Sequence, residues 1–306
     1  MLFMAFFGGA VSAQVPQRRA ITIEPFLQEV ILEPNDASKN FTVTVTNNTT
    51  SVFNFNALPV DFGSLSETGG IFFQGSESLK LANKYGLANW IELEKTNYSL
   101  QPGQKETINV RLMNRNDLSP GGHYGSIFLN TSSSSNPGSN VSFRQSISSL
   151  VLAIKRGGER YDMSLHGAKF NGGWFKPPTA TTLRFRNDGN THVVPRGTVI
   201  FKNRHGKEMA RGIINENSSY LLPETYRQLP VELKQQRSYP FFLFNSYQAE
   251  VNYRYDGLDK IATRTYTVRW INMHFLFLML AASAAAFYLY NNHQKIAKSL
   301  KSKLKS

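Results

Sequence analysis

Four residues that often do chemistry fall within six positions: Asn187, Asp188, Asn190 and His192. A carboxylate, two amides and an imidazole at this spacing are the groups of a metal site or of a general acid–base pair. The first three of them form, with Gly189, the stretch NDGN between two runs of alternating apolar residues. Asn, Asp and Gly tolerate positive φ in hairpin turns. The sequence therefore predicts a structural turn at residues 187–190 rather than a reactive site.

Other candidate reactive residues are scattered along the chain. Four histidines stand alone, with no H-x-H or H-x-x-x-H pair for a metal: His123, His166, His192 and His205. Glu92 and Glu94 share one face of a predicted strand, which is typical of a solvated surface, whereas glycosidic carboxylates must converge across a cleft. The sequence has no G-x-S-x-G elbow, P-loop or G-x-G-x-x-G, and no cysteine. It predicts a protein without catalytic residues, metal or cofactor.

The net charge is unevenly distributed along the 306 residues, which carry +13 in total. Residues 20–155 have a net charge of −2, and residues 156–270 have +8. A step of this size indicates that the two halves face different surroundings. The basic half lacks the interleaved aromatic and basic motifs of nucleic-acid binders, so no nucleic-acid partner is predicted.

Both ends of the chain are apolar. Residues 1–13 resemble the core of a signal peptide, with small residues before a cleavage after Ala13. Residues 273–290 form an apolar run long enough for a transmembrane helix, and residues 291–306 form a basic tail. We expect a single-pass membrane protein with its ectodomain outside and its tail in the cytoplasm, because positive charge favours the cytoplasmic side.

Alternation of apolar and polar residues dominates the rest of the chain. Runs such as NFTVTVTN and ETINVRLM, separated by turn signals such as LQPGQ and LSPGG, are typical of antiparallel strands. A glycine pair near residue 157 marks a hinge. The predicted fold class is all-β: two immunoglobulin-like sandwiches in tandem at residues 18–155 and 160–270, followed by the transmembrane helix. The serine-rich run at 132–139 is predicted to be a loop.

Several phrases resemble the WxL-interacting proteins of bacterial cell surfaces. They are FLQEVILEPNDASKNFTVTVTNNT, NWIELEKTNYSLQPGQKETINVRLMNRNDLSPGGHYGSIFL, NDGNTHVVPRGTVIFKNRHGKE and LLPETYR. The order of signal peptide, two sandwiches, membrane helix and basic tail is similar as well. The resemblance implies a first module that binds peptidoglycan and a second that binds a partner or host protein, with no catalytic residues.

Two non-enzymatic functions follow from these features. The first is a membrane-anchored adhesion protein of the cell surface that binds cell-wall polymer, peptidoglycan, or another surface protein. The alternative is an assembly chaperone that offers an unpaired edge strand to fibre subunits. The sequence does not specify the oligomeric state, and an enzyme such as a wall hydrolase would need converging carboxylates.

Two groups of residues are predicted to make contacts with partners. Ile71, Phe72 and Phe73 stand together between glycines, and either present apolar surface to a partner or fill the core. A second group is predicted to contact the membrane or another anionic surface: Arg264, Arg269, Trp270, Lys295, Lys298, Lys301, Lys303 and Lys305.

Overall fold

The structure is a computed structural model. It describes residues 20–73, 84–131, 147–173, 175–239 and 242–303, with side chains as far as His293. The predicted signal peptide at 1–13, the serine-rich loop at 132–139 and Lys305 lie outside these residues. The chain divides into two compact units. The first comprises residues up to Phe62 together with Phe73–Gly157, and the second comprises Gly63–Phe72 and the chain from Gly158.

Within the part of the chain that the structure describes, ten strands precede Gly158 and form two sheets. One sheet has the order β1-β3-β8-β6, and the other has the order β2-β10-β9-β4-β5 with β7 paired to β4. The strands are β1 (Ile21–Glu24), β2 (Leu27–Leu32), β3 (Ser38–Asn47), β4 (Phe53–Ser64), β5 (Ile71–Phe73), β6 (Ile91–Leu93), β7 (Asn97–Leu100), β8 (Lys105–Met113), β9 (Gly121–Asn130) and β10 (Ile147–Lys155).

The two sheets of the first unit share one core, which explains the alternation in the sequence. On β3, Val43 and Val45 are fully buried, while the neighbouring Thr44 and Thr46 are partly exposed. These valines belong to the same buried cluster as Ala57 and Ile127 of the other sheet. Successive side chains of a strand point to opposite faces, so each second residue enters the core.

The second unit also contains two sheets, with the orders β11-β12-β15 and β16-β14-β13-β17-β18. The strands are β11 (Met163–Phe170), β12 (Ala180–Asn187), β13 (Arg196–Lys202), β14 (Glu208–Ile214), β15 (Tyr226–Glu232), β16 (Lys234–Gln235), β17 (Phe244–Arg254) and β18 (Ala262–Ile271). Leu183 and Val231 of the first of these sheets lie in one buried cluster with Val199 and Val251 of the second. The all-β prediction is confirmed, together with a terminal helix.

A buried asparagine organises the end of a strand in each unit. The side-chain amide of Asn47, at the end of β3, donates to the carbonyls of Ser51 (2.8 Å) and Leu100 (3.0 Å). Asn187, at the end of β12, donates in the same way to Thr191 (2.7 Å) and Leu221 (3.0 Å). Each asparagine carbonyl accepts a backbone N–H two residues later, from Thr49 and Gly189 respectively. The two units therefore repeat one local construction.

The predicted turn at residues 187–190 is confirmed, but it does not close a hairpin. β12 belongs to the three-stranded sheet and the next strand, β13, belongs to the five-stranded sheet. Asn187 is fully buried, and His192 is buried against the ring of Tyr220. The turn thus carries the chain from one sheet to the other, and the polar side chains satisfy backbone groups that the sheets leave unpaired.

The chain ends in a helix, α1 (Met273–Lys303). Asn272 caps it, because its side-chain oxygen accepts the N–H of Phe275 (3.2 Å). By length and composition, Met273–His293 is long and apolar enough to cross a membrane. Large apolar side chains of α1, including Phe277, Leu280 and Phe287, are exposed. The helix continues past the predicted end at residue 290 because the polar tail contains neither proline nor glycine.

Residues 63–72 are attached to the second unit through the carboxylate of Glu67. This carboxylate accepts hydrogen bonds from the Arg184 guanidinium (2.6 and 2.8 Å) and from the Gln228 side chain (2.8 Å). These bonds, that of Arg184 first, lower the pKa of Glu67 from 4.5 to about 2. The backbone carbonyl of Glu67 also accepts the N–H of Gln228 (2.6 Å).

A depressed carboxyl pKa predicts a pH-dependent attachment of this segment. The stabilisation is present above the unfolded pKa of 4.5 and is lost as the pH falls through about 2. We expect Glu67→Gln to speed exchange of the Gln228 backbone amide at pH 6, relative to the native protein at the same pH. The difference should shrink as both proteins approach pH 2. Glu92→Gln, which removes a 3.6 Å contact with Arg115, is the control; a Glu67→Gln effect that persists at pH 2 would contradict this cause.

Candidate strand-addition site

The edge strand β2 covers its neighbour β10 only in part. Parallel pairing of the two strands runs from Leu150 opposite Leu27 to Lys155 opposite Leu32. Pairing of β10 with β9 on its other side begins earlier, at Ile147 opposite Leu129. Among the described residues, the first three residues of β10, Ile147–Ser149, therefore extend past the strand that covers the rest of that edge.

The backbone of Ser148 faces this open side. The N–H of Leu150 donates to the carbonyl of Phe26 (2.9 Å), so the N–H of Leu150 points away from β9. Backbone groups of alternate residues in a strand point to the same side. The N–H and C=O of Ser148, two residues before Leu150, consequently point to the side that β2 leaves open. A strand from another chain can pair with exposed backbone groups of this kind.

Apolar side chains flank the open edge. Phe26, whose carbonyl accepts the Leu150 N–H, is 63% exposed. Leu27 and Ile147 are half-buried beside it, and Ile147 packs on the core of the first unit. Main-chain hydrogen bonds provide the affinity of an added strand, and neighbouring apolar side chains provide contact area and register. We call the five residues Phe26, Leu27, Ile147, Ser148 and Ser149 the β10 edge site.

The β10 edge site is held in place from within the unit. The buried hydroxyl of Ser149 donates to the carbonyl of Pro25 (2.6 Å), which ties the start of β10 to the segment between β1 and β2. β1 and β2 lie in different sheets, so the chain crosses between the sheets next to the open edge. A preorganised edge loses little conformational entropy when a partner strand binds.

The β10 edge site cannot be recognised from local sequence patterns. The pairing of β2 with β10 joins residues more than 120 positions apart, and alternation within one strand does not reveal which strand lies beside it. One signal was present in the sequence: Phe26 directly follows a proline and stands outside the alternation of its neighbours.

Ile71, Phe72 and Phe73 form the short strand β5. Ile71 and Phe72 are 37% and 38% exposed, and the ring of Phe73 packs edge-on against Phe128 at 5.7 Å. None of the three belongs to the buried core clusters. The contact of these residues with a partner stays a prediction. In the sheet order, β5 and β10 are separated by β9 and β4, so these residues and the β10 edge site do not lie at the same sheet edge.

Residues predicted to contact the membrane lie at different depths. Trp270 is 5% exposed, and its ring stacks on Tyr247 at 4.5 Å between centroids, so it belongs to the domain core rather than to a surface. Arg264 pairs with Val251 on β17, seven residues before the end of β18 at Ile271, a distance of about 23 Å along the strand. Arg269 is two residues from that end. Lys295, Lys298, Lys301 and Lys303 belong to the helix, whose side chains are described only to His293.

Candidate reactive residues are structural where the structure describes them. The ring nitrogens of His123 lie 3.1 Å and 2.8 Å from the carbonyls of Gly86 and Ser119, and burial lowers the pKa of this histidine. Within the described ranges, no group of three or more His, Cys, Asp or Glu residues is arranged to hold a metal. Glu92 and Glu94 lie on an outer sheet face.

Comparisons with known proteins find structural likeness at low identity. No protein-family model matches the chain, and no curated protein matches it. The similar solved structures include a chain of the chaperone–tip adhesin complex of CFA/I fimbriae (TM-score 0.43, 9% identity, 81% of this chain and 97% of that chain). They also include the E. coli chaperone DraB (0.34, 13%, 81% and 96%) and a chain of the Salmonella enterica SafA pilin–SafB chaperone complex (0.34, 11%, 82% and 95%). At these identities and TM-scores, the likeness assigns neither a family nor a function.

The comparisons nevertheless correct one interpretation of the sequence. The solved structures described above are chaperones and complexes of chaperones with an adhesin or a pilin, and none of their names mentions cell-wall polymer. The interpretation of the chain as an adhesion protein that binds peptidoglycan is contradicted by this finding, whereas binding to another surface protein is consistent with it. The resemblance to WxL-interacting proteins remains a prediction.

Proposed function

We propose that this protein is a membrane-anchored assembly chaperone that holds a β-rich subunit by strand addition at the β10 edge site. In this proposal both units are immunoglobulin-like sandwiches and neither performs catalysis. The subunits to test are β-rich proteins of the kind named in the similar structures, pilins and tip adhesins. The proposal takes up the edge-strand alternative of the sequence analysis.

The open edge of β10 is the observation that carries the proposal. Ser148 directs both backbone groups to the side that no strand of the described residues covers, while the same strand pairs with β9 on its other side. Exposed edges of this kind are usually blocked by charged residues, prolines or bulges. Residues 147–149 are Ile, Ser and Ser, none of which blocks pairing, and the neighbouring Phe26 offers apolar contact.

The proposed function predicts a defined complex rather than general adhesiveness. The full chain, carrying a tag after Ser306, should be purified in mild detergent after co-expression with pilin-like subunits from the same genome. A chaperone of this type should co-purify with one subunit at a fixed one-to-one ratio, since one edge accepts one strand. If no subunit co-purifies with the chain in any of these co-expressions, the proposal is contradicted.

Membrane anchoring through α1 is the second part of the proposal. Residues 273–293 span about 31 Å as a helix, which matches the thickness of a bilayer core. The five lysines after residue 293 and the absence of acidic residues there favour a cytoplasmic tail. Both β-units then lie on the outer side of that membrane.

This topology predicts a simple protection pattern. Protease added to cells whose outer layers have been removed should digest both β-units and leave a tag placed after Ser306 intact, because the membrane shields the tail. After detergent permeabilisation, the same tag should be digested. Loss of the tag before permeabilisation would contradict the proposed orientation.

A further inference from the structure

One end of the second unit is defined by three turns and the start of α1. The turns are the segments between β11 and β12 (described at 171–173 and 175–179), between β13 and β14 (203–207) and before β17 (described at 236–239 and 242–243). Strand register places them together: Lys202 lies opposite Gln248, and Phe244 lies opposite Ile271. The N–H of Gln236 donates to the carbonyl of Met209 (2.8 Å), which ties the third turn to the start of β14, next to the second turn. We call this the helix-proximal end.

Three phenylalanines are exposed at the helix-proximal end. Phe244 is 71% exposed, Phe242 is 55% exposed and Phe175 is 53% exposed. Phe242 and Phe244 are adjacent to Arg204 and His205 on the surface, and Phe244 also borders a groove with Gly172, Gly173 and Arg269. Exposed aromatic residues clustered at one end of a domain indicate a binding surface.

The charge of the second unit is separated between its two ends. The three helix-proximal turns contain Lys176, Arg204, Lys207 and Arg237 and no acidic residue, a net charge of +4. The four turns at the opposite end, residues 158–162, 188–195, 215–225 and 255–261, have a net charge of −5. Acidic residues there are Glu159, Asp162, Asp188, Glu216, Glu224, Asp256 and Asp259. The two ends thus differ by nine charges, while the remaining residues of 156–270 carry a net charge of +9.

The start of α1 lies at the same end as the exposed phenylalanines. Asn272 follows β18 directly, and its N–H donates to the carbonyl of Leu243 (2.9 Å), between Phe242 and Phe244. The side chain of Asn245 in turn donates to the carbonyl of Phe242 (2.9 Å). These bonds fix Phe242 and Phe244 at the level where the apolar helix begins at Met273.

We infer that the helix-proximal end is a lipid-docking surface that binds the bilayer crossed by α1. Phe175, Phe242 and Phe244 enter the boundary between headgroups and acyl chains, where aromatic rings are favoured. Arg204, Lys207, Arg237 and Lys176 lie within about a Debye length, ~8 Å, of anionic headgroups. The acidic end faces away from the membrane. This inference rests on the proposed anchoring by α1.

Docking of the helix-proximal end would orient the second unit on the bilayer, which anchoring by α1 alone does not do. A helix with a flexible connection holds a domain near the bilayer without orienting it. Here the apolar residues come from two turns besides the helix start, and Phe175 is nearly 100 positions before α1 in the sequence. Simultaneous contact of Phe175 and Phe242 with lipid therefore requires that the whole end of the unit rests on the bilayer.

The absence of cysteine from the chain permits a direct test. Single cysteines are placed at Phe175, Phe242, Ile261 or Leu280 in the full-length protein and labelled with an environment-sensitive fluorophore. The labelled proteins are reconstituted into vesicles of phosphatidylcholine with 30% phosphatidylglycerol. Quenching is then measured with lipids that carry a nitroxide near the headgroup and with aqueous iodide. Ile261 is the matched control, since it is an apolar residue, 67% exposed, at the acidic end.

We expect labels at Phe175 and Phe242 to be quenched severalfold more by the nitroxide lipid than the label at Ile261, and less by iodide. Charge reversal of the pair Arg204→Glu and Arg237→Glu should reduce lipid quenching at position 175 in anionic vesicles, with native circular dichroism retained. Labels at 175 and 242 that behave like the label at 261, while Leu280 is quenched by lipid, would overturn the inference and leave the anchor intact. Failure of lipid to quench Leu280 would overturn the anchoring proposal and the inference with it.

Discussion

Replacement of Asn187 by alanine should destabilise the second unit by about 2–4 kcal/mol, since it removes three hydrogen bonds worth about 0.5–1.5 kcal/mol each. The side chain is fully buried and makes three hydrogen bonds, to Thr191, Leu221 and the N–H of Gly189. Alanine removes these three bonds and leaves the buried Thr191 carbonyl without this partner. The Leu221 carbonyl still accepts the N–H of Val193 (3.1 Å), and the N–H of Gly189 still donates to the carbonyl of Asp162 (3.2 Å). Total stabilities are about 5–15 kcal/mol, so much of the stability of the unit depends on one amide.

Asn190→Ala provides the matched control in the same turn. Asn190 is only partly buried, and water can replace its bonds to Gly158 and Arg160, so its removal should cost about 1 kcal/mol. Urea unfolding followed by tryptophan fluorescence measures both variants, because Trp270 lies in the core of this unit. Equal destabilisation by the two substitutions would refute the role given to Asn187. Asn47→Ala should have a comparable effect on the first unit, where the same bonds occur.

Replacement of Ser148 by proline should weaken subunit binding at least tenfold while the first unit stays folded. Proline removes the N–H that faces the open side of β10 and places its ring where an added strand would lie. The β10–β9 ladder should survive, since Ser148 directs its N–H away from β9. A tenfold loss corresponds to about 1.4 kcal/mol, close to the net contribution of a backbone hydrogen bond.

Ser148→Ala is the control that separates backbone from side chain. Alanine keeps the N–H and removes only the hydroxyl, so binding should remain close to that of the native protein. Phe26→Ser should give an intermediate loss, since it removes apolar contact beside the edge but keeps the backbone bonds. Affinity is measured by titration of the detergent-solubilised full chain with purified subunit, with thermal unfolding as the check on folding. Equal binding by Ser148→Pro and Ser148→Ala would show that the partner binds elsewhere.

Local features of the fold were predictable from the sequence because they depend on neighbours in the chain. The alternation of Val43 and Val45 with threonines matches β3, and the apolar run after residue 272 matches α1. The NDGN stretch was recognised as a turn, yet its role in joining two sheets depends on the contact of Asn187 with Leu221, 34 positions away.

The candidate site could not be predicted because it is defined by pairing between distant segments. Whether β10 has an open edge depends on where β2 begins to cover it, and parallel pairing over this separation leaves no local pattern. Trp270 shows the same limit. Its position beside the apolar run suggested a membrane interface, but stacking on Tyr247 of the adjacent strand buries it.

The exchange rate of the Ser148 backbone amide tests strand addition most directly. Hydrogen–deuterium exchange, resolved to single residues by fragmentation in the mass spectrometer, is measured in the full-length protein with and without bound subunit. Strand addition predicts fast exchange of the Ser148 amide in the free protein and at least tenfold slower exchange in the complex, with little change at Val151, which already faces β9. A stable complex in which the Ser148 amide exchanges as fast as in the free protein would contradict binding at the β10 edge site.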